Sequence, residues 1–243
     1  MNLLIFKDDV EGGKKAAEII KEVMTEKNDA VLGLATGSTP IEMYKELVKM
    51  YNNGDISFKN VKSVNLDEYV GLSGEHEQSY RYFMNDNLFN HVDIDKNNTY
   101  VPDGLSNDLT KFVSDYEKLI DQLGGQDCQV LGVGMNGHIG FNEPNAKLEL
   151  NTHVEDLTPS TIEANKRFFQ SANDVPKQAI SMGMGSIFKA KKIILMAFGE
   201  NKADAIKSLE DTKVTTEMPV TLLKLHPDVT VIVDEAAASK LTK

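Results

Sequence analysis

Residues 128–144 read CQVLGVGMNGHIGFNEP, and the rest of the chain is organised around this stretch. The first six form an apolar run that is typical of a buried strand, and the glycines that follow let the backbone turn sharply. The turn carries the imidazole of His138, the carboxylate of Glu143 and the amides of Asn136 and Asn142. Because α/β proteins place their chemistry on loops that follow buried strands, this stretch predicts a site as well as a sheet.

Helical and extended patterns alternate on both sides of this stretch. Apolar runs of strand length occur at 3–6, 30–35, 61–66, 192–198 and 229–233. Shorter extended segments are predicted at 98–102 and 176–182, and helices at 79–92, 109–123, 158–169 and 219–225. This alternation predicts an α/β fold with a mainly parallel sheet and helices on both faces. We expect residues 1–243 to form a single domain.

The composition excludes several classes of protein. A net charge of −11 over 243 residues argues against nucleic acid or an anionic membrane as a partner. The sequence has neither a basic leader nor an apolar stretch of membrane-spanning length, so a cytoplasmic protein is expected. The single cysteine, Cys128, lies in the apolar run and is expected to be a buried structural thiol.

A possible anion pocket follows the second apolar run, at residues 36–40, which read TGSTP. Pro40 suits the first turn of a helix, and Ser38 or Thr39 can cap it. The backbone N–H groups and hydroxyls of the loop would then face an anion at a positive helix terminus. A capped helix without a ligand fits the same pattern.

Other polar groups are expected at the same edge of the sheet. Asp67 follows the strand predicted at 61–66, although it also suits the cap of a following turn. Arg167 and Lys202 are candidate cations for an anion site, and a surface ion pair with Glu163 is the alternative for Arg167. A carboxylate can remove a proton from a carbon next to a carbonyl, and histidine moves protons near neutral pH. The set therefore suits a phosphorylated small molecule, with His138 held in one tautomer by a neighbouring side chain.

Three other kinds of site lack their motifs. The spacing of His138 and Glu143 fits no zinc pattern, and the only cysteine is in a strand, so no metal is expected. Neither a P-loop motif nor a G-x-G-x-x-G motif stands at the start of a helix, so the sequence does not support a nucleotide-binding site. Residues 37–39 do not form the G-x-S-x-G turn of a serine hydrolase.

The chain resembles the glucosamine-6-phosphate deaminases, within the glucosamine/galactosamine-6-phosphate isomerase family. The resemblance rests on LATGSTP at 34–40, NLDEYVG at 65–71, GVGMNGHIGFNEP at 132–144, ANKRFF at 164–169 and GENKA at 199–203. It covers essentially the full length and implies an α/β fold of the doubly wound, Rossmann-like type, with a mainly parallel sheet. It also implies a hydrolase acting on a C–N bond in amino-sugar catabolism, which converts glucosamine 6-phosphate and water into fructose 6-phosphate and ammonia.

The resemblance also assigns roles to residues. It makes Asp67 the base that takes the C2 proton and delivers it to C1. His138 would carry protons during ring opening, assisted by Glu143 and Asn136. The positions that match phosphate-binding residues are Thr36, Gly37, Ser38, Arg167 and Lys202. No cofactor is implied, because the C1 carbonyl of the opened sugar acidifies the C2 hydrogen.

The chain departs from the family pattern in two places. Many members have aspartate where this chain has Asn136, which accepts a hydrogen bond but carries no charge, so a different pH range for ring opening is expected. Regulated hexameric members carry basic residues where this chain reads HVED at 153–156, and they have a longer tail beyond the position of Lys243. We therefore expect no activation by N-acetylglucosamine 6-phosphate, and a monomer rather than a homo-oligomer.

Two other functions compete with this interpretation. A 6-phosphogluconolactonase-type hydrolase shares the general fold and a sugar-phosphate pocket, but it needs no base such as Asp67 at C2, and the sequence NEP at 142–144 speaks against it. A non-catalytic sugar-phosphate sensor would usually carry a basic DNA-binding module, which this sequence lacks. It would also tend to lose the acid–base residues, all of which are present here.

Overall fold

A computed structural model describes residues 1–158, 162–163, 166, 169, 171 and 174–242. Its strands are β1 (Asn2–Phe6), β2 (Val31–Leu34), β3 (Lys62–Asn65), β4 (Asp67–Tyr69), β5 (Thr99–Tyr100), β6 (Cys128–Leu131), β7 (His153–Asp156), β8 (Gln178–Ser181), β9 (Lys192–Ala197) and β10 (Val229–Asp234). Its α-helices are α1 (Asp9–Glu26), α2 (Ile41–Asn52), α3 (Tyr80–Met84), α4 (Leu109–Gln122), α5 (Met184–Phe188) and α6 (Ala203–Lys207). Within the described residues, 3-10 helices span Lys96–Asn98, Glu200–Lys202 and Pro219–Leu225.

The main sheet has seven parallel strands in the order β1-β10-β9-β6-β2-β3-β5. The chain moves from β2 outward through β3 to β5, and then returns to the other side of β2 to build β6, β9 and β10. Since such crossovers are right-handed, α1 and α2 cover one face while α4, α5 and α6 cover the other. The predicted doubly wound, mainly parallel α/β fold is confirmed.

The strand order reverses between β2 and β6. Leu32 is paired with Cys128, and Gly33 with Gln129, so these two strands end at nearly the same level. In doubly wound sheets the crevice for a ligand lies outside the carboxyl ends of the strands at such a reversal. The loops that follow β2 and β6 are therefore expected to border a ligand site.

A second sheet, of three antiparallel strands in the order β4-β8-β7, was not expected from the sequence. The extended segment predicted at 176–182 is present as β8, but it pairs with β4 rather than with the main sheet. Both β4 and β7 are short and polar, with the sequences DEY and HVED, so neither shows an apolar run or a clear alternation. Their pairing depends on contacts between residues far apart in the chain.

Two local predictions differ from the structure. The helix expected at 79–92 is interrupted, because α3 passes into a π-helical turn at Asn85–Phe89 that buries Leu88 and Phe89. The cap predicted for α2 from Ser38 or Thr39 is wrong. Pro40 occupies the position before the first helical residue, and no side chain caps this helix. A proline has no side-chain acceptor to offer, and the N–H of Ile41 instead donates to the backbone oxygen of Ser38, at 3.4 Å.

None of the described helices is both long and apolar enough to cross a bilayer. The predicted burial of Cys128 is confirmed, since its side chain is fully enclosed in β6. Burial raises the pKa of this thiol to about 12, so it stays protonated at neutral pH.

Candidate active site

Four neighbouring strands bring predicted site residues to one edge of the main sheet. In spatial order, β9 leads to Lys202, β6 to the loop at 132–144, β2 to the loop at 36–39, and β3 to Asp67. The carboxyl ends of parallel strands all point the same way, so these segments converge. Arg167 lies outside the described residues.

His138 is held by two side chains of its own loop. The Asn136 amide nitrogen donates a hydrogen bond of 2.7 Å to Oε2 of Glu143, and the Asn136 oxygen Oδ1 lies 2.7 Å from Nδ1 of His138. A carboxylate can only accept, so Glu143 orients the amide with its oxygen towards the imidazole. An amide oxygen also only accepts, so Nδ1 of His138 carries the hydrogen. This leaves the lone pair of Nε2 free to take a proton.

The loop can adopt this shape only because glycine stands under the ring of His138. A Cβ atom on Gly134 would lie 2.1 Å from Cε1 of the imidazole, far inside van der Waals contact. The Gly134 N–H also donates to the backbone oxygen of His138, at 2.9 Å. Glu143 adds a carboxylate oxygen 3.4 Å from Nδ1 of His138, so a protonated ring would be stabilised in place.

Asp67 lies beside the same loop. A Cβ atom on Gly140, whose φ is +58°, would lie 3.6 Å from Oδ2 of Asp67. The Asp67 side chain is only 7% exposed, and no described residue donates a hydrogen bond to its carboxylate. Burial, together with the charge of Glu68, raises the pKa of Asp67 to about 8. A buried carboxylate without hydrogen-bond donors is a strong base once it is ionised.

Glu68 has a different environment although it is the next residue. Its carboxylate accepts hydrogen bonds from the backbone N–H groups of Tyr69, Tyr80 and Arg81, at 2.8, 2.9 and 3.0 Å. Burial raises its pKa and outweighs these three bonds. Because successive side chains of a strand point to opposite faces, Glu68 anchors the start of α3 while Asp67 faces the loop. The sequence shows the acidic pair but not this division of tasks.

The loop at 36–39 presents open backbone donors at the start of α2. The N–H groups of these residues donate to no other described residue. Tyr44, which is fully buried, fixes the end of β2 by donating from its hydroxyl to the oxygen of Ala35, at 2.6 Å. The Thr39 hydroxyl would lie 3.8 Å from a Cβ atom on Gly132, which places this loop against the end of β6. The arrangement suits an anion at the reversal point of the sheet.

Lys202 ends a 3-10 helix after β9. The turn that leads to it is held by Asp234, whose two carboxylate oxygens accept from the Gly199 N–H at 3.0 and 2.9 Å. No carboxylate in the described part of the chain pairs with the Lys202 ammonium group, and partial burial lowers its pKa. A half-buried cation without an acidic partner is a candidate ligand for an anion. Among the described residues, no group of three or more His, Cys, Asp or Glu side chains has metal-site geometry.

Comparison with known proteins identifies the family of the chain. Residues 11–232 match the sequence model of the family described as glucosamine-6-phosphate isomerases/6-phosphogluconolactonase. The chain belongs to this family. It is 55% identical, over 241 residues, to the glucosamine-6-phosphate deaminase of Clostridium perfringens (strain 13 / Type A), with 99% of this chain and 100% of that protein covered. It is 56% identical, over 239 residues, to the glucosamine-6-phosphate deaminase of Thermoanaerobacter pseudethanolicus, with 98% and 94% covered.

Two solved structures that resemble this chain differ in how similar they are to it. A monomeric glucosamine-6-phosphate deaminase superimposes with a TM-score of 0.95 at 42% identity, with 98% of this chain and 99% of that chain covered. A 6-phosphogluconolactonase from Trypanosoma cruzi superimposes with a TM-score of 0.77 at 20% identity, with 100% and 97% covered. The second similarity shows the fold alone, so the fold does not separate a deaminase from a lactonase.

Proposed function

We propose that the protein is a glucosamine-6-phosphate deaminase, which converts glucosamine 6-phosphate and water into fructose 6-phosphate and ammonia. The observation that carries this proposal is the buried carboxylate of Asp67, to which no described residue donates a hydrogen bond, beside the loop that holds the oriented imidazole of His138. A lactonase has no use for a base aimed at C2 of a sugar. Proteins named glucosamine-6-phosphate deaminase that share 55% of the sequence support the same substrate.

The phosphate of the substrate binds at the reversal point of the sheet. The N–H groups at 36–39 and the hydroxyls of Thr36 and Ser38 donate to its oxygens, and the Lys202 ammonium group neutralises part of its charge. We assign Arg167 to the same group on the strength of its motif alone. With the phosphate held there, C1 and C2 of the sugar reach the loop at 132–144 and Asp67.

Ring opening is assigned to His138. Its Nε2 takes the proton of the C1 hydroxyl group and gives a proton to the ring oxygen as the bond between C1 and that oxygen breaks. The products are the open-chain aldehyde and a neutral histidine. Asn136 and Glu143 keep the hydrogen on Nδ1 during this exchange and stabilise the ring while it is charged.

Isomerisation is assigned to Asp67. Its carboxylate takes the hydrogen on C2, which the C1 carbonyl has made acidic, and returns it to C1. The amino group on C2 loses a proton and becomes an imine, while the oxygen on C1 gains a proton and becomes a hydroxyl group. Water then adds to C2, and ammonia leaves as the C2 ketone forms. The balance is one water consumed and one ammonia released, which makes the reaction a hydrolysis of a C–N bond coupled to isomerisation. This chemistry requires no cofactor.

The first test compares two substrates. We expect the purified protein to release ammonia from glucosamine 6-phosphate in an amount equal to the fructose 6-phosphate formed. We expect it not to accelerate the hydrolysis of 6-phosphogluconolactone. Lactone hydrolysis without ammonia release would identify a lactonase. Tight binding of the sugar phosphate without turnover would identify a sensor.

Replacing Lys202 with methionine is expected to raise KM for glucosamine 6-phosphate by about 10- to 100-fold, the equivalent of a lost hydrogen bond to a charged group. The value of kcat should change much less, because the phosphate is remote from the reacting carbons. Inorganic phosphate should also inhibit the variant more weakly than the wild type. Lys207→Met is the matched control, since Lys207 contacts Glu210 and Thr242 at the surface. Equal effects on KM from both variants would remove Lys202 from the phosphate site.

The proposal extends to the context of the enzyme. Site residues come from strands spread over the chain, from β2 to β9, which supports a single catalytic domain of residues 1–243. The monomeric relative at 42% identity supports a monomer. This relative and the negative net charge of the chain support a cytoplasmic enzyme of amino-sugar catabolism.

A further inference from the structure

One buried hydroxyl connects the loop of His138 to the strand of Asp67. The backbone N–H of Phe141 donates to Oγ of Ser181 at 3.1 Å, and Ser181 is fully buried at the end of β8. Phe141 stands between His138 and Glu143 in the sequence. The hydrogen bond therefore ties the middle of the loop to a strand of the small antiparallel sheet.

Ser181 is also the cross-strand partner of Asp67. The two residues are paired in the antiparallel ladder of β4 and β8, which puts their side chains on the same face of that sheet. The backbone of Gly140 fits between them. A Cβ atom there would lie 3.0 Å from Oγ of Ser181 and 3.6 Å from Oδ2 of Asp67. The hydroxyl of Ser181 and the carboxylate of Asp67 therefore both lie close to Gly140 of the loop.

Neighbouring backbone contacts extend this connection. The N–H of Met182 donates to the oxygen of Leu66, the residue before Asp67, at 2.7 Å. The oxygen of Met182 accepts from the side-chain amide of Asn142 at 2.8 Å, and the same amide donates to the oxygen of Ile139 at 2.8 Å. The segment 181–182 is therefore bonded to β4 on one side and to the loop on the other.

We propose that Ser181 is a positioning residue that sets the loop carrying His138 at its working distance from Asp67. This inference rests on the proposed function, in which the two groups act on adjacent carbons of one substrate. The imidazole and the carboxylate must then both be positioned to well under an ångström, since a displacement of about 1 Å can cost roughly 10²-fold in rate. Ser181 touches neither the substrate nor the transferred proton, so it acts only through Phe141 and the shape of the loop.

The test uses two serines with the same burial and different contacts. Ser181→Ala removes the acceptor of the Phe141 N–H. Ser63→Ala removes a hydroxyl from β3 that is also fully buried and has no hydrogen-bond partner among the described residues. We expect Ser181→Ala to lower kcat by about 10- to 100-fold with KM within about threefold of the wild type. Ser63→Ala should leave both constants unchanged, and Ser181→Thr, which keeps the hydroxyl, should recover most of the kcat.

A second readout does not depend on activity. Hydrogen–deuterium exchange of the Phe141 amide should be at least about tenfold faster in Ser181→Ala than in the wild type, and unchanged in Ser63→Ala. A Ser181→Ala enzyme with wild-type kcat and wild-type exchange at Phe141 would overturn the inference. So would a loss of kcat that Ser181→Thr does not restore. A wild-type protein that releases no ammonia would overturn the proposed function itself, which separates the two failures.

Discussion

Replacing Asp67 with asparagine is expected to lower kcat for ammonia release from glucosamine 6-phosphate by about 10³-fold or more. An amide cannot accept the C2 proton, so the base assigned to this step is lost. The side chains have nearly the same size, so KM should stay within a few-fold of the wild type. Steady-state assays of ammonia and fructose 6-phosphate measure both constants. Comparable kcat in the two proteins would remove Asp67 from the chemistry.

The same substitution should not destabilise the fold, and this serves as its control. Asp67 has a folded-state pKa of about 8 against an ordinary value of 3.8. Between these two pH values the folded protein keeps a proton that the unfolded chain has released, so stability falls as pH rises through the window. Asparagine has no charge to bury. The Tm of Asp67→Asn relative to the wild type should therefore increase from pH 5 to pH 8, which would exclude misfolding as the cause of inactivity.

Replacing His138 with glutamine is expected to lower kcat by about 10²-fold or more, because the group that moves protons during ring opening is lost. Glu143→Gln should lower kcat by about tenfold or more through a different effect. A glutamine offers both a donor and an acceptor to Asn136, so the Asn136 amide group can rotate and exchange the positions of its oxygen and nitrogen. The imidazole then also populates the tautomer with hydrogen on Nε2, which cannot take the substrate proton.

Because Glu143 acts through His138, the two substitutions should not be additive. The double variant His138→Gln/Glu143→Gln is expected to be no slower than His138→Gln alone. Glu149→Gln is a suitable control, since Glu149 is exposed and follows the same loop. Multiplicative losses in the double variant would show that Glu143 has its own contact with the reaction.

Much of the main sheet could be predicted from the sequence because its strands are buried on both faces. Every residue of β2 and of β6 is buried, and such strands read as continuous apolar runs. The periodicity of 109–123 likewise corresponds to α4. Because the ends of such strands can be recognised in the sequence, the residues that follow them could be selected as candidate site residues. Asp67 and the loop at 132–144 were selected in this way.

The small antiparallel sheet could not be predicted, and neither could the contacts that depend on it. The ladder between β4 and β8 joins residues more than 100 positions apart, and neither strand exceeds four residues. Ser181 has no local pattern that distinguishes it from other serines. Its position becomes informative only when the pairing with Asp67 is known. The order of the contacts among Glu143, Asn136 and His138 also depends on side-chain geometry rather than on spacing.

An NMR experiment in deuterium oxide shows directly whether a single base on one face of the sugar moves the proton from C2 to C1. Glucosamine 6-phosphate is turned over by the wild-type protein, and the C1 hydrogens of the fructose 6-phosphate are examined as ammonia accumulates. We predict that ammonia and fructose 6-phosphate appear in equal amounts, and that any deuterium at C1 occupies only one of its two positions. The absence of ammonia, or deuterium divided equally between both C1 positions, would contradict the account.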